Sequence, residues 1–239
     1  MDSCQFAFVF KASGPGCFDP WYPIRICDIS FRSFWTGSKK GKENQRMSIL
    51  AIYGSPRRKG NTAKLMKQAV KGARDQGAEV EEIVLRDLKM SPCLEIYGCK
   101  KNGRCAIQDD FQQVYDKLLN CRGLILASPI FFYAVSAHTK ILIDRCQSLW
   151  VKKYWIENTR PGSKTCLRKG LFLSVGATRG KKLFDGALLT VKYFFDVLDM
   201  ELLEPVVFRG LDFEGDIHQH PEYLEQAYLS GKTLVKDLF

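Results

Sequence analysis

The sequence predicts an α/β protein: one open, doubly wound parallel sheet in three α/β/α layers, formed by residues 47–239. Two observations predict it. Five short runs from Ser48 onward are mostly apolar, as strands of a sheet covered on both faces are, and each is followed by an amphipathic segment long enough for a helix.

The first run, SILAIY from Ser48, stops abruptly at Gly54, and a helix is expected from Asn61 to Gln76, with Asn61 and Thr62 suited to its start. VEEIVL from Val80 is the second strand. A cysteine-bearing loop separates it from the helix Asp109 to Leu119, where Asp109 and Asp110 read as capping carboxylates. GLILAS from Gly123 is the third strand, ended by Ser128-Pro129, and Ser136 caps the next helix, to Trp150. LFLSVGA from Leu171 and the helix Lys182 to Leu198 form the fourth unit. LLEPVVF from Leu202 and the helix Pro221 to Leu238, with proline at its first position, form the fifth.

Residues 1–46 differ from the rest. They hold Pro15, Pro20 and Pro23, isolated aromatics and the polar run GSKKGKENQR, without helical or strand period. They are expected outside the fold, as an extension ahead of a translation start at Met47 or as a tail that binds a partner.

Composition narrows the function classes. The 46% apolar content supplies a substantial core, while no apolar run approaches the roughly 20 residues of a spanning helix. The first residues, MDSCQFAFVFKASG, lack the basic start and apolar length of a secretory signal, so a cytoplasmic protein with no membrane partner is expected. The nine cysteines then read as thiols, ligands or core residues rather than disulfides. The net charge of +10 comes from cations dispersed among 26 acids, with no recognition motif, and no nucleic-acid partner is expected.

In doubly wound sheets, ligands sit beyond the carboxyl ends of the strands, where the winding reverses. The loops after Tyr53, Ser128 and Ala177 should meet there. In GSPRRKGNT, Ser55, Asn61 and Thr62 offer side-chain donors, Gly54 and Gly60 let the backbone approach a ligand, and Arg57, Arg58 and Lys59 add charge ahead of a helix N-terminus. Gly54 and Gly60 are separated by five residues, and Asn61 stands where a nucleoside-triphosphate loop carries lysine. G-x-G-x-x-G is absent too, so a terminal monophosphate is the better fit. In SPIFFYAVSAHTKILIDRCQ, Pro129 fixes the turn and leaves amides from Ile130 to Ala134 for the edge of a flat heteroaromatic ring, walled by Phe131, Phe132 and Tyr133. SVGATRGKKLFDGA adds Gly176, Ala177 and Thr178 to the same ring site.

These three motifs, in this order over residues 47–239, resemble the flavodoxin-like family of NADPH-dependent FMN reductases and iron-sulfur flavoproteins. The resemblance implies that the phosphate and ring belong to FMN, that five strands run in the order 2-1-3-4-5, and that the chain forms a homodimer or homotetramer with the flavin near a subunit boundary. It also implies a role for SPCLEIYGCKKNGRCAIQDDF, where iron-sulfur flavoproteins carry four cysteines. Read as C-x2-C-x2-C-x5-C, that pattern is met by Cys93, Cys99 and Cys105, while Ile96 takes the remaining position. One thiolate short, the loop is expected to hold neither a stable 4Fe-4S cluster nor zinc, and to be a vestigial or redox-active thiol loop over the flavin pocket.

No nucleophilic triad, HExxH or paired-carboxylate signature is present. His218 and His220 read as a solvated helix entry, and Asp144 and Arg145 as structural, in an ion pair or subunit contact. The expected activity is an FMN-dependent oxidoreductase that takes hydride from NAD(P)H and passes electrons to a quinone, nitroaromatic, flavin or similar small acceptor. Its chemistry is carried by the cofactor rather than by a catalytic side chain. The alternative is a flavin-binding electron-transfer or sensing protein without NAD(P)H activity of its own.

Overall fold

A computed structural model describes residues 48–160 and 168–238; the expectation for residues 1–46 lies outside this range. Strand β1 (Ser48–Tyr53) leads into helix α1 (Asn61–Asp75), β2 (Glu79–Val84) and α2 (Phe111–Asn120). β3 (Gly123–Phe131) folds back on a short β4 (Ala134–Val135), followed by α3 (Ala137–Arg145) and α4 (Gln147–Val151). β5 (Arg168–Gly176), α5 (Asp185–Val197), β6 (Met200–Leu202), β7 (Val206–Arg209) and α6 (Pro221–Lys236) complete the chain.

The parallel order is β2-β1-β3-β5, with β6 and β7 both beside β5. This is the flavodoxin-like order 2-1-3-4-5 in a three-layer α/β fold. The expected count of five strands becomes seven for two local reasons. LLEPVVF is divided: Gly170 pairs with Leu202 and Leu173 with Val206, so β5 advances three residues while its neighbour advances four, and Pro205, with no N–H to donate, sits in the surplus. The third strand also runs past Pro129 to Phe131 and makes an antiparallel ladder with β4.

Successive side chains of β1 go to opposite faces. Ile49, Ala51 and Tyr53 join the core beneath α1 and α6, whereas Leu50 and Ile52 join the core beneath α2, α3 and α5. α1 and α6 approach closely because each presents a glycine: a Cβ on Gly72 would lie 2.0 Å from the Tyr228 carbonyl oxygen, and one on Gly231 2.0 Å from that of Ala69.

The expected helix Ser136 to Trp150 is broken. Cys146, with ψ of 0°, joins α3 to α4, and a π turn follows over Lys152–Ile156. At the break, the buried Arg145 holds Asp109 with both terminal guanidinium nitrogens, Nη1 at 2.6 Å and Nη2 at 3.0 Å, and also donates to the Ser91 and Ile107 carbonyls. Its Cζ lies 4.6 Å from the Phe111 ring centroid. Both ends of the cysteine loop are thereby pinned to α3. Asp109 also accepts from Phe111 N, the first N–H of α2, at 3.0 Å, whereas Asp110, at the N-cap position, makes no side-chain cap bond and accepts from Lys89 N at 2.7 Å. Asp144 pairs with Lys140 instead.

Replacing Gly231 with Ala, although it favours an isolated helix, is expected to lower Tm by roughly 5 °C, because overpacking costs about 1–3 kcal/mol. Thermal unfolding followed by circular dichroism checks it; a higher Tm would show slack in the α1–α6 contact. Burial pushes the Asp109 carboxyl upward, but its bonds from Arg145, Ser91 N and Phe111 N outweigh this and hold it below the usual carboxylate range. The lowered folded value means that its stabilisation is complete above the unfolded carboxylate range and is lost as pH falls through the folded value. Asp109→Asn is therefore expected to cost about 3 kcal/mol at pH 7, and the deficit should shrink in urea titrations at pH 3.

Candidate functional site

The carboxyl ends of β1, β3 and β5 are joined by a chain of buried hydroxyls. Ser174 Oγ donates to the Ser128 carbonyl at 2.7 Å, and Ser128 Oγ accepts from Ser136 N at 2.9 Å. Ser136 Oγ donates to the Gly54 carbonyl at 2.6 Å and accepts from Thr139 N at 3.3 Å, capping α3. Gly54 must be a glycine here, since a Cβ would lie 1.9 Å from Thr139 Oγ1.

Above this base lies a cleft of about 110 Å³, lined by Ser55, Arg57, Gly60, Asn61 and Thr62 on one side and by Pro129, Ile130, Phe131, Gly176 and Ala177 on the other. Asn61 and Phe131, seventy residues apart in the chain, thus face one space. α1 begins at Asn61 with Gly60 as its extended N-cap and no side chain closing its end. Among the described residues, the N–H groups of Asn61, Thr62 and Ala63 have no acceptor. The hydroxyl of Thr62, a residue only 2% exposed, also has no partner among the described residues. Donors without partners that face a cleft at the positive end of a helix are what an anion would satisfy.

The three cations of this loop part company. Arg57 lines the cleft, while Arg58 turns aside to pair with Asp87 at 2.5 Å. Ser55 Oγ shapes the turn, accepting from Arg57 N at 3.1 Å. Asn61 differs from the sequence expectation: its amide donates to the Phe213 carbonyl at 2.8 Å and accepts from Gly215 N at 3.1 Å. Its side chain fastens α1 to the loop after β7, and only its backbone N–H is left for a ligand. That loop brings Leu211 and Asp212 to the cleft, which sequence reasoning missed. The signal was the flanking pair Gly210 and Gly215, both at positive φ.

Phe132, Tyr133 and Thr178 stand outside the cleft on its exposed side. The turn expected at Pro129 falls instead at Phe132 and Tyr133, the two residues between β3 and β4, with φ of 50° and 62°. A two-residue hairpin turn of this hand normally takes Asn-Gly. Here two aromatics occupy it, Phe132 completely exposed and Tyr133 half exposed. The ladder Ile130–Val135 and Phe131–Ala134 occupies part of the backbone that the sequence reading left free for a ring.

Cys93, Cys99 and Cys105 line a separate recess together with Cys146. Burial pushes the Cys146 thiol far above its usual range, and among the described residues no three His, Cys, Asp or Glu side chains are placed to share a metal ion. As arranged, these thiols do not make the four-thiolate set a 4Fe-4S cluster needs, so no chemistry is assigned to one. His220 is held by Glu222 at 3.1 Å and stacks on Tyr223.

Relatives are found both for the sequence and for the 2-1-3-4-5 sheet. The chain is 36% identical over 133 residues to an iron-sulfur flavoprotein of Methanocaldococcus jannaschii, covering 56% of this chain and 64% of that one. It is 30% identical over 133 residues to an iron-sulfur flavoprotein of Methanosarcina thermophila, covering 56% and 65%. The chain thus spans under two thirds of the length of these relatives. In fold it is similar to an NAD(P)H:quinone oxidoreductase from Methanothermobacter marburgensis, with TM-score 0.60 and 15% identity over 79% of this chain and 97% of that one. No helix among the described residues is long and apolar enough to cross a membrane. Residues 47–202 match the family model for NADPH-dependent FMN reductase, and the chain belongs to that family.

Proposed function

We propose that the chain binds FMN and works as an NAD(P)H-dependent oxidoreductase on a small electron acceptor, as a homodimer or homotetramer. The observation that carries this reading is the set of free donors, the N–H groups of residues 61–63 and the Thr62 hydroxyl, beside Arg57 in a cleft that Phe131 also lines. Family membership, and the NAD(P)H-dependent quinone oxidoreductase among its fold relatives, support it.

The phosphate would lie on the α1 N-terminus, with Thr62 and the Asn61 N–H as donors, Ser55 holding the turn and Arg57 supplying charge. Gly60 lets the backbone come close, since a Cβ there would already meet Arg57 Cβ at 3.1 Å. The ring would lie along Pro129 to Tyr133, with Gly176, Ala177 and Thr178 on its other edge. Bound there, FMN supplies reversible two-electron chemistry, taking hydride from NAD(P)H and passing electrons to a quinone, nitroaromatic, flavin or similar acceptor. The side chains hold and orient it; Phe131, Phe132 and Tyr133 offer apolar surface to the ring and to whatever stacks on it.

Anaerobic addition of NADPH to the FMN-loaded chain tests the enzyme against the carrier alternative. Rapid bleaching of the flavin band is expected; bleaching by dithionite alone would leave an electron carrier. Thr62→Val should weaken FMN binding roughly ten-fold in a fluorescence-quenching titration, the loss of one charge-assisted hydrogen bond, without altering the fold. Phe132→Gly should raise stability by about 1 kcal/mol, by relieving a left-handed non-glycine residue, while weakening FMN. An unchanged flavin affinity in both variants would remove FMN from this cleft.

A further inference from the structure

The recess between α3, α5 and the cysteine loop encloses about 710 Å³ and shares no lining residue with the proposed flavin cleft. Its floor is buried, formed by Cys146, Val151 and Phe194, whereas Leu94, Ile96 and Tyr193 stand about 60% exposed at its mouth. A depression with a closed apolar floor and an apolar lip suits a small molecule better than a flat protein surface, and the volume falls within the range of about 300–1,000 Å³ found for ligand pockets.

Its walls are aromatic. Tyr97, Trp150, Trp155, Tyr193 and Phe194 all face it, with Trp150 and Trp155 edge to face at 5.3 Å. Tyr97 is held with φ of 56°, and its hydroxyl donates to Glu95, itself at φ 54°. Lys100 Nζ sits 3.9 Å from the Tyr97 centroid and 5.1 Å from that of Trp155, bridging two rings of the wall. Two left-handed non-glycine residues in three are costly in a loop that merely connects. The α3 side carries the ion pair Lys140–Asp144 at 2.6 Å, with Gln147 a turn further on, while Glu95 and Thr190 line the loop and α5 sides. Flat rings fill an aromatic-walled space by stacking, and a polar edge can reach the ion pair.

We infer that this recess is a binding site for a planar aromatic molecule of two or three fused rings bearing a polar or anionic edge. The site lies one helical turn from the β3–β4 hairpin, since α3 runs from Ser136 at the cleft to Lys140 at the recess, and α5 from Gly186, against Tyr133, to Thr190. It does not depend on the flavin reading, and the FMN-free chain should bind equally.

The probe is 1-anilinonaphthalene-8-sulfonate, titrated by fluorescence into the full chain without FMN. One saturable site per chain is expected, with Kd on the order of 10 μM. Saturation should slow iodoacetamide alkylation of Cys99 and Cys105 about ten-fold, read by peptide mass spectrometry, because both thiols line the recess. Thr190→Trp and Gln147→Trp, at its rim, should each weaken the probe at least ten-fold and leave the thermal melt unchanged. Binding that does not saturate, that leaves both alkylation rates unchanged, or that survives both substitutions would overturn the assignment. So would dissociation of an oligomer on probe binding, which gives the recess to a second copy of the chain, or a stoichiometric cluster absorbance after anaerobic iron and sulfide reconstitution.

Discussion

The site rests on a buried run of hydroxyls that ties Ser174 to Ser128, Ser128 to Ser136 and Ser136 to Gly54. Ser128 and Ser174 face each other near the carboxyl ends of β3 and β5, and Ser136 stands at the start of α3, where the first helical N–H groups need acceptors. In a dry interior an unpaired polar group costs more than a made hydrogen bond returns, so these bonds admit one arrangement of three strand ends and exclude others. The absence of a side chain at Gly54 permits it, by letting Thr139 close on β1. What projects beyond this base begins from fixed positions, so little of the binding energy of a ligand is spent on ordering it.

Order at the base contrasts with strain at the rim. Phe132 and Tyr133 occupy backbone conformations that glycine or asparagine would take more comfortably, and the exposed Phe132 gains nothing from burial in return. The fold alone would favour Asn-Gly at this turn. Aromatic surface held out to solvent at a cost in stability marks the hairpin as a contact surface, whether for a ring or for a second chain.

Much of this was legible in the residues. Mostly apolar runs each followed by a helix leave few architectures, and the donors gathered at the start of α1 are local, contained between Ser55 and Ala63. What the sequence hid was long-range. Nothing near Asn61 says that its amide reaches Phe213, 152 residues on, nor that Arg145 travels 36 residues back to Asp109. Both side chains carry the right chemistry for their nearest motif and spend it elsewhere, because a buried amide or guanidinium goes where most of its donors find acceptors; for Arg145 those are reached by Nη1 and Nη2, while Nε has no partner among the described residues. Pro129 misled for a similar reason: proline forbids a donor but tolerates a strand edge, so β3 continues to Phe131. Of the three adjacent cations, only the geometry of Asp87 separates Arg58 from Arg57.

α3 joins the two recesses. Its first turn belongs to the hydroxyl base through Ser136 and Thr139, and its last residue, Arg145, grips both ends of the cysteine loop. Nine residues of helix make a strut about 13 Å long. Because both ends are held by hydrogen bonds, sliding or rotating the strut would break several together, and the cysteine loop is therefore fixed relative to the candidate cleft. What the recess admits is then decided by the side chains on its walls. Ile96 is the plainest case: an isoleucine in the register of a thiolate adds apolar lip to an aromatic-walled space, and so turns a position suited to holding a metal into one suited to holding a ring.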